Sequence, residues 1–204
     1  MTEWWTYSLS DFLMFSPRIY WRMIELYQRA VWPGQLIAIA AGAACLGLAR
    51  QPQPRRRAQA LALLAGAWLW VGWAFHAQRY ARINWAADTL ALAFATQALL
   101  LALLAWRLVT SAAPALPASG PVTPAGGWLA AAAVLLYPLT GWLAGRPWLQ
   151  TDLFGLTPEP TALATWALLP ALTRGLSPRW RWPAAVLPVL SLALGAATLW
   201  TMSQ

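Results

Sequence analysis

The single histidine of the chain, His76, opens a short stretch that also holds Arg79, Arg82, Asn84 and Asp88. A histidine titrates near neutrality, and a neighbouring carboxylate can take its proton or bind a cation. With two arginines and an asparagine at the same boundary, the stretch reads as a substrate or proton site. A second stretch runs from Asp152 to Thr161 and places Glu159 between Pro158 and Pro160. Each proline restricts the backbone of the residue before it, so this carboxylate stands on a stiff turn. His76, Arg79, Arg82, Asn84, Asp88 and Glu159 therefore form the candidate substrate-binding set. Plainer roles exist for all of them. The arginines can sit among lipid headgroups, with Asp88 neutralised by Arg79 or Arg82. Glu159 can lie against the positive end of a helix begun by Pro160.

Other chemistries lack their residues. One histidine cannot supply the paired axial ligands of a membrane dihaem centre. There is no lysine for a retinal Schiff base, and no HExxH, GxSxG, phosphate loop or GxGxxG motif. Cys45 stands alone in an apolar run, which leaves no disulfide and no thiolate metal site within one chain. No catalytic residue, cofactor or metal is expected, and the chain reads as a non-enzyme.

The elements that carry these residues follow from composition. Of 204 residues, 60% are hydrophobic and 10% charged, and the mean hydropathy is +0.50. A soluble domain typically has about 25% charged residues. This chain lacks the polar side chains to cover itself in water. Its 16 tryptophans point to the headgroup boundary, where an indole satisfies both an apolar body and an N–H donor. The net charge of +8 comes from arginines that punctuate apolar runs rather than gathering on a hydrophilic face, so nucleic acid is not an expected partner.

Residues 1–31 read as an interfacial amphipathic segment. Ser16-Pro17 is a helix start, a capping hydroxyl before a proline at the first helical position. Ile19, Tyr20, Met23, Leu26, Tyr27 and Ala30 then recur at helical spacing, with Arg18, Arg22, Glu25 and Arg29 mostly elsewhere. Glu3 and Asp11 and the lack of a basic start argue against a cleavable signal peptide. Residues 32–204 read as an all-α polytopic bundle of six transmembrane helices, at 33–49, 58–75, 85–106, 128–145, 161–173 and 182–202. A span needs about 20 residues, and the fifth is short and broken by Pro170. Residues 109–127 read as a flexible loop. Pro138, Pro170 and Pro188 bend their spans, and Gln35 and Gln97 pack between helices. Trp68, Trp70 and Trp73 read as lipid anchors or packing rather than a ligand cage.

Six spans place Arg50, Arg55, Arg56, Arg57, Arg107, Arg174, Arg179 and Arg181 on one side, with no acid. All six acids fall on the other side with six arginines. The side richer in arginine is expected in the cytoplasm, which puts both termini outside.

The runs Trp4-Trp5-Thr6-Tyr7-Ser8-Leu9-Ser10-Asp11-Phe12-Leu13, Phe15-Ser16-Pro17-Arg18, Trp32-Pro33, Phe75-His76, Ile83-Asn84-Trp85 and Phe154-Gly155-Leu156-Thr157-Pro158-Glu159-Pro160-Thr161 resemble a bacterial inner-membrane family of unknown function. Its members are often labelled permeases. The resemblance implies a six-helix membrane protein. Glu159 stands where that pattern commonly has cysteine, so no thiol-dependent role is expected here. The expectation is a small-solute or ion permease of the inner membrane. The alternative is a non-transporting accessory, sensor or assembly factor. The expected partners are the lipid bilayer and a second copy or another membrane protein.

Overall fold

The computed structural model describes residues 15–110 and 123–203. The Trp4–Leu13 motif and most of the expected 109–127 loop lie outside them. Among the described residues every regular element is helical. Helix α1, Pro17–Ala30, starts as expected: Ser16 caps it, its Oγ accepting from the Ile19 amide at 3.4 Å. Helix α2, Gly34–Ala49, follows at 88° to α1. Helix α3, Pro54–Trp70, runs on into a π-helical turn, Val71–Ala77, and then a 3-10 turn, Tyr80–Arg82. Helix α4, Ala87–Thr110, returns beside it. Helices α5, Pro124–Ala131, and α6, Tyr137–Leu143, join through a second π-turn, Ala132–Leu136. Helices α7, Pro158–Leu172, and α8, Pro178–Ser203, complete the chain.

Four of these stretches are long and apolar enough to cross a membrane: Pro54–Arg82, Ala87–Thr110, Pro124–Leu143 and Pro178–Ser203. A fifth arises if the bent pair α1 and α2 is counted as one crossing. The 16 residues of α2 and the 15 of α7 fall short alone.

The reason α7 can be short is that it lies inside the bundle. It packs against α8, α5, α3, α2 and the second π-turn, and 11 of its 15 residues are buried. A helix apolar all round belongs in an interior. Small residues let its neighbours approach. Thr161 and Thr165, one turn apart, donate back to the carbonyls of Thr157 and Thr161 at 2.7 and 2.8 Å. The Thr165 hydroxyl also accepts from the indole of Trp68 at 2.8 Å. Trp68 is thus a core anchor, whereas Trp70 and Trp73 are exposed.

Helices α3 and α7 are antiparallel. Trp68 meets Thr165 near the middle, and the Arg57 guanidinium donates to the Arg174 carbonyl at 2.7 Å at the end. Arg57 is fully buried, so it is not the free loop cation its neighbours in the Arg55-Arg56-Arg57 run suggest. At the same end Arg107 lies over the ring of Trp180, 4.5 Å from its centroid.

One contact explains how α8 tolerates a proline in mid-helix. Pro188 has no N–H, so the carbonyl of Ala184 loses its helical donor. The Gln97 side chain of α4 supplies a replacement, donating to Ala184 O at 2.8 Å. The packing role expected for Gln97 is therefore a specific repair. Gln97→Leu should cost more stability in the natural chain than in Pro188→Ala, where the helix can satisfy Ala184 itself. A coupling of about 1 kcal/mol is expected from a double-mutant cycle read by thermal unfolding.

Candidate functional site

The end of the bundle opposite Arg57 carries the acids Glu25, Asp88, Asp152 and Glu159, each held differently. Glu25 on α1 is paired with Arg22 at 2.9 Å and Arg29 at 3.0 Å. Asp88 lies in the first turn of α4, exposed, with no ion pair among the described residues. The expected pairing with Arg79 or Arg82 is therefore absent. The reason is that α4 begins only at Ala87, so Asp88 stands at a solvated, electropositive helix start and needs no partner.

Asp152 is buried in the loop before α7, 3.9 Å from Arg146. Arg146 is itself pinned. It donates to the Gln150 carbonyl at 3.2 Å and stacks on Trp21, 3.8 Å from the ring centroid. The loop is tied to α1 through Gln28, which donates to the Thr151 carbonyl at 2.9 Å. Burial pushes the Asp152 carboxyl up to about 6, against the opposing pull of Arg146 and Thr157.

The Oδ1 of Asp152 is buried without a hydrogen-bond partner among the described residues, with Arg146 beside its other oxygen; Glu159 has no ion pair among those residues at all. Helix α7 begins at Pro158, two residues earlier than expected, so Glu159 lies in its first turn. One carboxyl oxygen, Oε2, is buried without a hydrogen-bond partner among the described residues. The charges of Asp152 and Arg146 both act on it. Its side chain has room because residue 195 of α8 is glycine. A Cβ there would come within 2.6 Å of Glu159 Oε1.

Glu159 lines a pocket of about 60 Å³ between the starts of α1 and α7, the end of α3 and the second half of α8. Polar groups converge on it: His76, Tyr20 and Tyr80, and Ser191 and Thr198 of α8. His76 stands on the π-turn that ends α3, a geometry that often marks functional positions in helices. Neither of its ring nitrogens has a hydrogen-bond partner among the described residues. The ring is packed by Phe94, Phe75 and Tyr80, with centroids 4.5, 5.1 and 5.9 Å away. Tyr80 is oriented by Asn84, whose amide donates to its hydroxyl at 2.9 Å. Asn84 also accepts from the Ala86 amide at 2.9 Å, which turns the chain into α4.

Of the six residues singled out by sequence, then, His76 and Glu159 line one pocket, and Asn84 reaches it through Tyr80. Arg79 and Arg82 line a separate groove against α1, and Asp88 lines neither. Sequence reasoning passed over Tyr20, Ser191, Gly195 and Thr198. The last three recur at i, i+4 and i+7, a small and polar stripe on an otherwise apolar helix, which was the available signal. No cluster of three metal-ligating side chains occurs among the described residues.

Residues 17–200 match DUF6064, described as a family of unknown function. No curated protein matches the chain, and no solved structure does.

Asp152 gives a test of the buried acid cluster. A carboxyl raised from its ordinary 3.8 to about 6 contributes stability that is fully present below about pH 4 and lost as pH rises through 6. Thermal stability should therefore fall between pH 5 and pH 7 more in the natural chain than in Asp152→Asn. Parallel pH profiles for the two proteins would contradict this assignment.

Proposed function

The chain belongs to that family, whose function is unknown, so its role must be argued from its own residues, and we propose that it is an integral membrane protein that passes a proton or small cation by way of Glu159. The membrane reading is supported by its surface. Leu92, Leu99 and Leu143 are 71%, 70% and 76% exposed, which water would oppose and lipid would not. Exposed tryptophans bracket the long helices, Trp85 and Trp106 around α4 and Trp182 and Trp200 on α8. At a rise of about 1.5 Å per residue the paired rings stand roughly 27–32 Å apart. That is close to a hydrocarbon thickness of about 30 Å, with indoles at both boundaries.

Six passages between the two ends follow if α7 crosses inside the bundle, where protein rather than lipid meets its ends, and α2 crosses at the bundle's edge. The arginine-rich end, free of acids, is then cytoplasmic, and the pocket opens toward the outer half. Expressed in a bacterial inner membrane, a C-terminal alkaline-phosphatase fusion should be active and a fluorescent-protein fusion dark. Bright fluorescence would reverse the orientation.

The observation that carries the ion reading is the unpartnered, buried oxygen of Glu159 facing a pocket of about 60 Å³. A water needs about 10–15 Å³ of such room, so a few waters or one small cation fit, and a metabolite does not. This narrows the small-solute alternatives to a proton or a small ion. An ionisable group among apolar helices, without a permanent partner, is held at a cost that a transit site explains. Tyr20, Tyr80 and Ser191 supply hydroxyls that can donate to the carboxylate or pass its proton to water. An accessory role for α1 would have to use its outward face, with Ile19 and Leu26, since Tyr20, Ile24 and Tyr27 are buried against the bundle.

Protein reconstituted in liposomes holding a pH-sensitive dye should dissipate an imposed proton gradient faster than empty vesicles. Glu159→Gln should slow this by roughly 100-fold, to the leak of empty vesicles. Gly195→Ala, which crowds the same carboxyl, should fall between. The reading is abandoned if natural protein is no faster than empty vesicles for protons or alkali cations, or if Glu159→Gln is as fast as the natural chain.

A further inference from the structure

A second concavity lies on the outside of the same end of the bundle, between α1 and the turn that follows α3, and it holds about 400 Å³. Its walls carry four arginines from two separate elements, Arg18 and Arg22 of α1 and Arg79 and Arg82 of the turn. Its floor is apolar, made by Ile19, Met23, Leu26 and Ile83. Ile19 and Leu26 are each 50% exposed, so α1 has two apolar faces. One is buried in the bundle through Tyr20, Ile24 and Tyr27, and one looks outward into this groove.

Three of the four arginines in the groove, Arg18, Arg79 and Arg82, carry charge that no acid among the described residues compensates, while Arg22 is paired with Glu25. No acid lines the groove. The nearest carboxylate in sequence, Glu25, is occupied by Arg22, Arg29 and Gln150. Arg18, Arg79 and Arg82 have no ion pair among the described residues. The Nε of Arg79 is buried with no hydrogen-bond partner there. Buried donors of a guanidinium left unanswered are costly, and a planar donor fork suits phosphate oxygens.

Helix α1 meets α2 at 88°. If α2 runs along the membrane normal, α1 lies in the membrane plane at headgroup depth, with the groove facing lipid. We propose that this groove binds an anionic phospholipid, its phosphate held by Arg18, Arg79 and Arg82 and the upper part of its acyl chains resting on Ile19, Met23 and Leu26. Four cationic side chains above an aliphatic floor match a ligand that is acidic at one end and greasy at the other. A nucleic acid or acidic peptide would leave that floor uncovered, and 400 Å³ holds a headgroup with the first methylenes rather than a whole lipid. The site rests on the membrane reading but not on the role given to Glu159.

Native mass spectrometry of the full chain released from detergent tests it, with phosphatidylglycerol, phosphatidylcholine and inorganic phosphate as separate probes. Phosphatidylglycerol adducts should survive at activation energies that strip phosphatidylcholine. Arg79→Ala/Arg82→Ala should weaken phosphatidylglycerol binding by roughly 10- to 30-fold. Arg79→Lys/Arg82→Lys should retain most of it, which a misfolded variant would not. Arg55→Ala/Arg56→Ala, at the far end of α3, should leave it unchanged. Equal retention of both lipids, or an equal loss in the Arg55/Arg56 variant, would reduce the groove to ordinary surface charge and overturn the proposal. Full displacement by inorganic phosphate would replace the lipid with a free anion. A photo-crosslinker at Ile83 that captures residues 1–14 of the same chain instead of lipid would make the occupant the protein's own segment. Failure of the membrane reading is seen separately, as a chain that stays monodisperse without detergent before any lipid is added. Failure of the Glu159 reading leaves the lipid adducts intact.

Discussion

Polar groups buried in this bundle need hydrogen-bond partners, and the arrangement of the helices follows from where they find them. Helix α7 is ringed by other helices, so each of its hydroxyls must be answered by protein. Its threonines lean back onto their own helix, and one of them also accepts the Trp68 indole. At the C-terminal end of α7 the buried Arg57 donates to the Arg174 carbonyl, a cation set against the negative end of the helix. In α8 the carbonyl freed by Pro188 is answered from α4 by Gln97. These bonds join α3, α4, α7 and α8 at fixed heights, and they determine which residues meet at the far end.

Against that background Glu159 stands out. Each acid around it has a cation or the surface: Glu25 lies between two arginines, Asp152 has Arg146 beside one of its oxygens, and Asp88 is on the outside. A structural carboxylate at the start of α7 would be expected to acquire an arginine, and Arg146 is near enough to act on it electrostatically. That guanidinium is instead held by Trp21, Asp152 and the Gln150 carbonyl. Evidently the cation available to Glu159 is spent elsewhere, and α8 presents a glycine and two hydroxyls where it could have presented a base. A group left this way can exchange partners, which a fixed salt bridge cannot do.

Much of the fold was legible because apolar runs and helix starts are local properties. Ser16-Pro17 predicted the start of α1 to the residue, and each of the six apolar runs lies largely on helix. What was not legible depends on three dimensions. The buried side of α1 proved to be Tyr20, Ile24, Tyr27 and Gln28, because a wheel cannot tell lipid from a neighbouring helix when both are apolar. The 15 residues of α7 read as a doubtful span because length arguments assume lipid on all sides. For the site, clustering along the chain drew His76 together with Arg79, Arg82 and Asp88, yet the turn after α3 points successive residues in different directions. His76 instead shares a pocket with Glu159, 83 positions away in sequence.

That turn also ties the pocket to the groove outside it. Tyr80 lines the pocket while Arg79 and Arg82 line the groove. On α1 the same alternation recurs, with Tyr20 facing inward and Arg18 and Arg22 outward. The two tyrosines meet edge to face, 6.1 Å between ring centroids, and Phe15 packs on both. Backbone that positions the hydroxyls beside Glu159 is therefore the backbone that positions the four arginines. In this architecture the outer groove and the inner pocket are two faces of one wall.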